Sequence, residues 1–189
     1  MKVNFKSLLH LFLGAFLMLA QPIKAHNVLP QPQSLQANNE QFVLNSNTVI
    51  ATNLKGEART RIADAVKELF PQVKKQGSAG KKRNVINIKV TGTERDVEQI
   101  ASNKTFQSYQ LDVNKDGVFI VSPTEAGAFY ALQTLVGLQK APNTLQGCKV
   151  ADEPRFNWRG YMIDCSRHYW TPAFIKKQID MMAHFKLNR

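Results

Sequence analysis

Short runs of apolar and polar residues predict several β-strands before residue 122. Val85–Val90 alternates as a half-buried strand does. Tyr109–Val113 and Val118–Val121 flank an Asp-Gly turn, a combination that is typical of a β-hairpin. Phe42–Leu44 and Thr48–Ile50 flank a short polar segment, so a second hairpin is predicted there.

Two segments with helical spacing of apolar residues are expected to cover this sheet. The first spans Ala58–Leu69 and is predicted to end at Pro71. The second is predicted to begin at Ser122, whose hydroxyl would cap it, with Pro123 in the first turn and Glu125 completing a capping box. The side chains of this helix expected to pack on the sheet are Phe129, Leu132, Leu135 and Val136.

The pattern changes at Asp152-Glu153-Pro154, which is interpreted as a linker. Residues 26–151 are therefore assigned to an α+β domain, a sheet covered by two helices, and residues 152–189 to a second segment. Trp158–Cys165 lacks clean alternation, as a strand buried on both faces does.

A helix is predicted to follow that strand, capped by Thr171-Pro172, with an apolar stripe at Ile175, Ile179 and Met182. Strand, loop and helix together form one β/α unit, which needs neighbouring strands on both edges. We therefore expect the sequence to stop inside a larger parallel fold, truncated after Arg189.

Met1–Ala25 has the three parts of a secretory signal. Lys2 and Lys6 precede an apolar run of about 13 residues, and a small residue closes the segment. A membrane anchor is the alternative, but the run is shorter than the roughly 20 residues that span a bilayer, and it contains His10. We expect an exported protein, periplasmic or secreted, without a stable membrane anchor.

Composition and charge narrow the class of protein. The chain has 189 residues, 43% hydrophobic and 21% charged, which excludes collagen-like, coiled-coil and disordered proteins. The net charge is +11, and basic residues concentrate in Lys74–Arg83. This segment is either a patch for anionic polymers or a solvated loop between helix and strand. Export argues against a nucleic-acid partner.

Cys148 and Cys165 are too few for a disulfide scaffold, and no Cys/His spacing typical of a metal site occurs. No metal or other cofactor is therefore expected. A bridge between the two cysteines stays open, although Cys165 is predicted to be buried in the strand, which argues against pairing.

Four blocks of the sequence resemble one family of enzymes. The segment from Pro154 to His168 closely resembles the opening of the catalytic (β/α)8 TIM barrel of glycoside hydrolase family 20, the β-N-acetylhexosaminidases. Three further blocks are similar to the same family: Leu29–Pro32, Gly127–Leu135, and Ile175–Ala183 followed by Lys186-Leu187-Asn188. The resemblance implies an α+β leading domain followed by the first β/α unit of a truncated barrel.

The resemblance also implies a reaction and a substrate. Family members remove terminal N-acetylglucosamine or N-acetylgalactosamine from glycans with retention, and the substrate's own acetamido group takes part. An adjacent Asp-Glu pair on a later barrel strand supplies the acid and orients that group. No such pair follows the linker here, and Asp152-Glu153 precedes the first predicted barrel strand. We expect no catalytic residue in the chain and no activity of the chain alone.

One substrate contact and a supporting loop are predicted. Arg159 matches the family arginine that holds hydroxyls of the terminal sugar, and a planar guanidinium suits paired oxygens. The structural alternative is an ion pair with Asp164 or Glu153. Asp164, Arg167 and His168 follow the predicted strand, where we expect them to support the site loop, with Asp164 and Arg167 as an ion pair.

A second class of function is a non-catalytic carbohydrate-binding or interaction module of an exported protein. Release of the chromophore from a chromogenic N-acetylglucosaminide separates the two, because a binding module would not cleave it.

Overall fold

The structure is a computed structural model that describes residues 28–77, 83–93 and 96–189. The predicted signal Met1–Ala25 and part of the basic segment Lys74–Arg83 lie outside these ranges. The strands are β1 (Ser34–Val43), β2 (Val49–Thr52), β3 (Lys75–Gln76), β4 (Val85–Val90), β5 (Tyr109–Asn114), β6 (Gly117–Ser122), β7 (Gln139–Ala141) and β8 (Thr144–Asp152). The helices are α1 (Gly56–Leu69), α2 (Val97–Ser102), α3 (Glu125–Gly137) and α4 (Pro172–His184), with a 3-10 helix at Lys104–Gln107.

These strands form one mixed sheet in the order β1-β8-β5-β6-β4-β2-β3, with β7 beside β8. β2, β4 and β6 are parallel neighbours, whereas β5, β8 and β1 run antiparallel. The predicted hairpin of β5 and β6 is confirmed, with Val113 opposite Val118. Strand β8 continues through Asp152, so the first residue of the predicted linker belongs to the sheet.

The second predicted hairpin is wrong. Phe42 lies on β1 and pairs with Leu145 of β8, while Val49 and Ile50 lie on β2 between β3 and β4. The turn at Asn45 does form, since Thr48 N donates to Asn45 O at 2.9 Å. It carries the chain across the sheet instead of back along β1, because the fully buried β2 needs a strand on each side.

Helices α1 and α3 pack together on one face of the sheet, as predicted. Ile62 and Val66 of α1 and Leu132 and Leu135 of α3 are buried in the same cluster as the strands' inward residues. Burying each such side chain stabilises the fold by about 1.5–3 kcal/mol. The helices therefore supply the apolar face that the sheet needs, and the α+β domain is confirmed.

The N-terminus of α3 differs from the prediction. The cap is Thr124, whose Oγ1 accepts a hydrogen bond from Gly127 N at 3.2 Å and donates one to Phe106 O. Ser122 instead ends β6, and its Oγ donates to Ser108 O at 2.9 Å. Glu125 pairs with Arg61 of α1 at 2.8 Å and does not complete a capping box. Because β6 continues through Ser122, the cap of the helix lies two residues later than predicted.

Helix α4 begins as predicted, because Thr171 Oγ1 accepts from Phe174 N at 3.2 Å and Pro172 occupies the first turn. The predicted strand at Trp158–Cys165 is absent, and Trp158 and Met162 are exposed. Only its first residues form backbone hydrogen bonds with a neighbouring segment: Asn188 N donates to Arg159 O at 2.8 Å and Tyr161 N to Arg189 O at 3.0 Å. In the described ranges no strand of the sheet lies beside the rest. A stretch patterned for burial on both faces does not form a regular strand when neighbouring strands do not cover its edges.

Across the described ranges, none of the helices combines the length and apolar character that crossing a bilayer demands.

Replacing the α3 cap tests its assignment. Thr124→Ala removes the acceptor for Gly127 N and should lower the free energy of unfolding by about 1–2 kcal/mol. Urea denaturation followed by circular dichroism measures the change. Thr124→Ser is the matched control, because it keeps the hydroxyl and should stay within about 0.5 kcal/mol of the original. Equal losses in both variants would contradict the cap.

Candidate functional site

A cavity of about 460 Å³ lies where the sheet meets the segment that follows it. This volume falls within the range of about 300–1,000 Å³ that is typical of small-molecule pockets. Polar and aromatic side chains from both parts of the chain converge on it, which makes it the candidate site. The polar and aromatic residues that line it include Gln107, Tyr109, Tyr130, Asp152, Arg159 and Lys186.

A buried ion pair forms one wall of the cavity. Lys186 Nζ lies 3.0 Å from Asp152 Oδ2, and the two side chains are only 7% and 12% exposed. Lys186 Nζ also donates to the Tyr109 hydroxyl at 2.8 Å. Tyr109 in turn donates to Asp152 Oδ2 at 2.8 Å, so Thr134, 2.6 Å from the same hydroxyl, is the donor in their contact.

Burial shifts the pKa values of these groups in opposite directions. The pKa of Tyr109 is raised, mainly by burial and then by the neighbouring Asp152 carboxylate. The pKa of Lys186 is lowered by burial, and Asp152 opposes this shift by favouring the ammonium form. Tyr109 is therefore a neutral phenol that donates to the carboxylate, and Asp152 is the counter-charge that Lys186 needs.

Arg159 also lines the cavity, and its guanidinium is held by three hydrogen bonds. Its Nε donates to Lys186 O at 2.8 Å, its Nη1 to Phe156 O at 2.7 Å, and its Nη2 to the Gln107 side-chain oxygen at 2.7 Å. The guanidinium carbon lies 5.6 Å from the ring centroid of Tyr130, within cation–π range. Burial lowers the pKa of Arg159 and raises that of Tyr130.

Arg159 does not form the alternative ion pair with Asp164 or Glu153. Glu153 pairs with Lys104 at 3.0 Å and Asp164 with Arg167 at 3.8 Å, so neither carboxylate is the partner of the guanidinium. Three of the five N–H groups of Arg159 are engaged by the two carbonyls and Gln107. Two remain for the neighbouring Tyr130 or for a ligand in the cavity.

The predicted supporting residues lie apart from this cavity. The side chains of Asp164 and Arg167 form the predicted ion pair, but they are 51% and 93% exposed, so the pair contributes little. His168 packs against Trp170 with 4.4 Å between ring centroids. None of the three lines the cavity with Arg159, and their role at a sugar site stays a prediction.

The sequence analysis missed Gln107, Lys186 and Asp152 as site residues. Asp152 was interpreted as part of a linker, whereas it ends β8 with its carboxylate turned to Lys186. Lys186 belongs to the Lys186-Leu187-Asn188 block of the resemblance, which is the one signal that could have singled it out. Gln107 lies in the short 3-10 helix, where no repeat or motif marks it.

The prediction that Cys165 is buried is wrong, because it lies in the exposed segment before α4. Cys148 is buried on β8, and both thiols are free. Burial, together with the nearby Asp112, raises the pKa of Cys148 to about 11. In the part of the chain that the structure describes, no three His, Cys, Asp or Glu side chains gather as a metal site requires.

Two family models match the chain in succession. Residues 25–153 match glycosyl hydrolase family 20, domain 2, and residues 156–189 match the catalytic domain of the same family. The first match alone covers more than half of the chain.

The chain belongs to glycoside hydrolase family 20. The succession of the two matches agrees with the expected architecture, an α+β leading domain followed by the start of the catalytic barrel. The helix of the predicted first β/α unit is present as α4, and its strand is the element that the structure lacks.

The chain is similar to proteins named β-hexosaminidase and N,N'-diacetylchitobiase. A β-hexosaminidase of Porphyromonas gingivalis is 33% identical over 184 residues, which cover 88% of this chain and 22% of that protein. An N,N'-diacetylchitobiase of Vibrio harveyi is 36% identical over 84 residues, covering 43% of this chain and 10% of that protein. The chain thus spans about a fifth or less of the length of these relatives.

Solved structures of the family share the fold. The Streptomyces plicatus N-acetyl-β-hexosaminidase, in complex with Thio-NAglucal, aligns with a TM-score of 0.70 and 24% identity, over 90% of this chain and 34% of that one. A Vibrio harveyi exo-β-N-acetylglucosaminidase in complex with N-acetylglucosamine aligns with a TM-score of 0.64 and 23% identity, over 88% and 26%. At such identities the likeness shows the fold alone.

Removing the counter-charge of Lys186 tests the buried ion pair. Asp152→Asn should lower the free energy of unfolding at pH 7 by about 3–5 kcal/mol, because it leaves a buried ammonium unpaired. The loss should shrink as the pH rises towards 10. Without Asp152 the pKa of Lys186 falls further, so the unfolded state binds more protons and stability increases with pH.

Glu153→Gln is the matched control for this prediction. It removes the neighbouring carboxylate, whose partner Lys104 is half-exposed, and should cost less than about 1 kcal/mol. Denaturant unfolding at pH 7 and pH 10 measures both variants. An Asp152→Asn variant as stable as Glu153→Gln would contradict the importance of the buried pair.

The two thiols should differ sharply in reactivity. At pH 8 Cys165 should react with Ellman's reagent at once, whereas Cys148 should react at least about 100-fold more slowly until the protein unfolds, because it is buried and its pKa is about 11. Absorbance at 412 nm follows both phases. Cys165→Ser should abolish the fast phase and Cys148→Ser should leave it unchanged. Two fast thiols in the folded chain would contradict this assignment.

Proposed function

We propose that this chain is the leading part of a β-N-acetylhexosaminidase, which hydrolyses terminal N-acetylglucosamine or N-acetylgalactosamine from glycans with retention of configuration. The observation that carries the proposal is the ordered match to both family domains, together with 33% identity to a β-hexosaminidase over 88% of the chain. The name of the N,N'-diacetylchitobiase of Vibrio harveyi, which is 36% identical over 84 residues, supports this class of sugar.

Arg159 is proposed as the substrate contact within the chain. Its guanidinium borders the 460 Å³ cavity and has two N–H groups beyond those bonded to Lys186, Phe156 and Gln107, with Tyr130 as the neighbouring side chain that can accept from one of them. Donors fixed in the plane of a guanidinium suit neighbouring hydroxyls of a terminal sugar. Asp164, Arg167 and His168 are proposed to support the loop that follows.

The chemistry itself requires groups that lie outside these residues. After Pro154 the sequence has Asp164 and Asp180 as its carboxylates and no adjacent Asp-Glu pair. A general acid and a group that orients the acetamido oxygen are both needed for the substrate-assisted reaction. The 189-residue chain is therefore expected to bind without turnover.

Export is proposed from the Met1–Ala25 segment, with a periplasmic or secreted destination and no stable membrane anchor. The proposed partners are glycans, and no nucleic acid is expected. In that destination, which is oxidising, both cysteines would be present as free thiols.

Hydrolysis of 4-nitrophenyl N-acetyl-β-D-glucosaminide and of the matching galactosaminide tests the proposal. The product of the complete reading frame should release 4-nitrophenol, whereas the 189-residue chain should release none. Arg159→Lys in the complete product should lower kcat/KM by roughly 10- to 100-fold, because a point charge cannot replace paired donors on one plane.

Binding without cleavage by the complete product would instead favour the non-catalytic carbohydrate-binding module. Turnover by the 189-residue chain would contradict the requirement for an Asp-Glu pair. Lys104→Gln is a matched control, because it removes an exposed cation that pairs with Glu153 and should leave kcat/KM unchanged.

A further inference from the structure

Gln107 is buried, and both the nitrogen and the oxygen of its side-chain amide form two hydrogen bonds each. It is 1% exposed and lies at the end of the 3-10 helix. Its Nε2 donates to Ile100 O at 3.0 Å and to Ala101 O at 3.4 Å. Its Oε1 accepts from Arg159 Nη2 at 2.7 Å and from Asn188 Nδ2 at 3.3 Å.

Chemistry fixes which way this amide faces. The carbonyls of Ile100 and Ala101 can only accept, so the nitrogen of Gln107 must face them. The guanidinium of Arg159 can only donate, so the oxygen must face it. Reversing the amide would break the contacts on both sides at once.

Gln107 is one of two contacts of the guanidinium that come from the α+β domain, the other being the ring of Tyr130 on α3. The other two acceptors, Phe156 O and Lys186 O, belong to the segment after β8. Asn157 strengthens the same junction, because its Nδ2 donates to Ser102 O at 2.9 Å and its Oδ1 accepts from Lys104 N at 3.0 Å. The α+β domain thus reaches Arg159 through a rigid amide anchored on α2.

We propose that Gln107 is a positioning residue for Arg159, which it orients so that the remaining N–H groups point to sugar hydroxyls in the cavity. The inference rests on the proposed function as far as the sugar is concerned, but the positioning itself concerns the folded chain alone. It assigns the leading domain a direct part in preparing the substrate site.

The positioning is tested in the 189-residue chain without any substrate. In ¹⁵N-arginine-labelled protein, the Arg159 Nη protons should show restricted rotation about the Cζ–Nη bonds, because Nη1 and Nη2 each have a fixed acceptor. Arg159→Lys assigns the signals. Free rotation about these bonds in the original chain would overturn the inference.

Substitution of Gln107 then identifies the partner. Gln107→Met keeps the side-chain length and removes the acceptor, so the Nη2 signals should lose their restriction while the Nε–H, bonded to Lys186 O, keeps its shift. Gln146→Met is the matched control, because Gln146 is 4% exposed and contacts Asn38 and Gly147 instead. Unchanged Nη2 signals in folded Gln107→Met would overturn the inference.

Kinetics of the complete product separate this inference from the proposed function. Gln107→Met should lower kcat/KM about tenfold, mainly through KM, and should add nothing to Arg159→Lys, because both act on the same contact. Gln146→Met should leave kcat/KM within about twofold. If Arg159→Lys is impaired and Gln107→Met is not, the positioning role is wrong and the proposed function stands.

If Arg159→Lys has no effect, the proposed substrate contact is wrong. The rotation measured in the 189-residue chain still decides whether Gln107 orients the guanidinium.

Discussion

The ion pair between Asp152 and Lys186 is the contact on which the placement of the C-terminal segment depends. Helix α4 has no fully buried residue. Of its predicted apolar stripe, Ile175 and Met182 are half-buried and Ile179 is 56% exposed, so apolar burial alone holds it weakly. Polar contacts hold it in addition: Lys186 reaches the end of β8 and finds both Asp152 and the Tyr109 hydroxyl. A buried ammonium is tolerated only with such partners, so the segment is fixed in direction as well as in place.

The same lysine links this anchor to the candidate site. Its backbone has φ of 58°, in the left-handed region, which turns the chain after α4. Its side chain points to β8 while its carbonyl accepts from Arg159 Nε. A shift of Lys186 would therefore move one acceptor of the guanidinium. The buried pair and the orientation of Arg159 are parts of one bonded network, and Asn188 extends it by bonding Arg159 N and Gln107.

Local chemistry made much of the fold predictable. The Asp-Gly turn before β6, the stop of α1 near Pro71 and the Thr171 cap of α4 each depend on residues close in sequence, and each is present. The prediction of the second hairpin was wrong because an apolar strand can bury its side chains beside any neighbouring strand. β1 instead pairs with β8, where Phe42 lies opposite Leu145, far along the chain. Long-range pairing of this kind leaves no local signal.

Of the residues at the candidate site, only Arg159 was predicted from the sequence. Arg159 followed from a resemblance, but its partners Gln107 and Lys186 lie 52 and 27 residues away, and a polar residue buried by such contacts has no periodic pattern. The failed strand at Trp158–Cys165 makes the same point. Its sequence is patterned for two flanking strands, yet here no regular strand forms. The Arg159 guanidinium is ordered by three side-chain hydrogen bonds, and its backbone carbonyl accepts from Asn188 N at 2.8 Å. The orientation of the guanidinium is therefore as much a property of the α+β domain as of the segment that carries it.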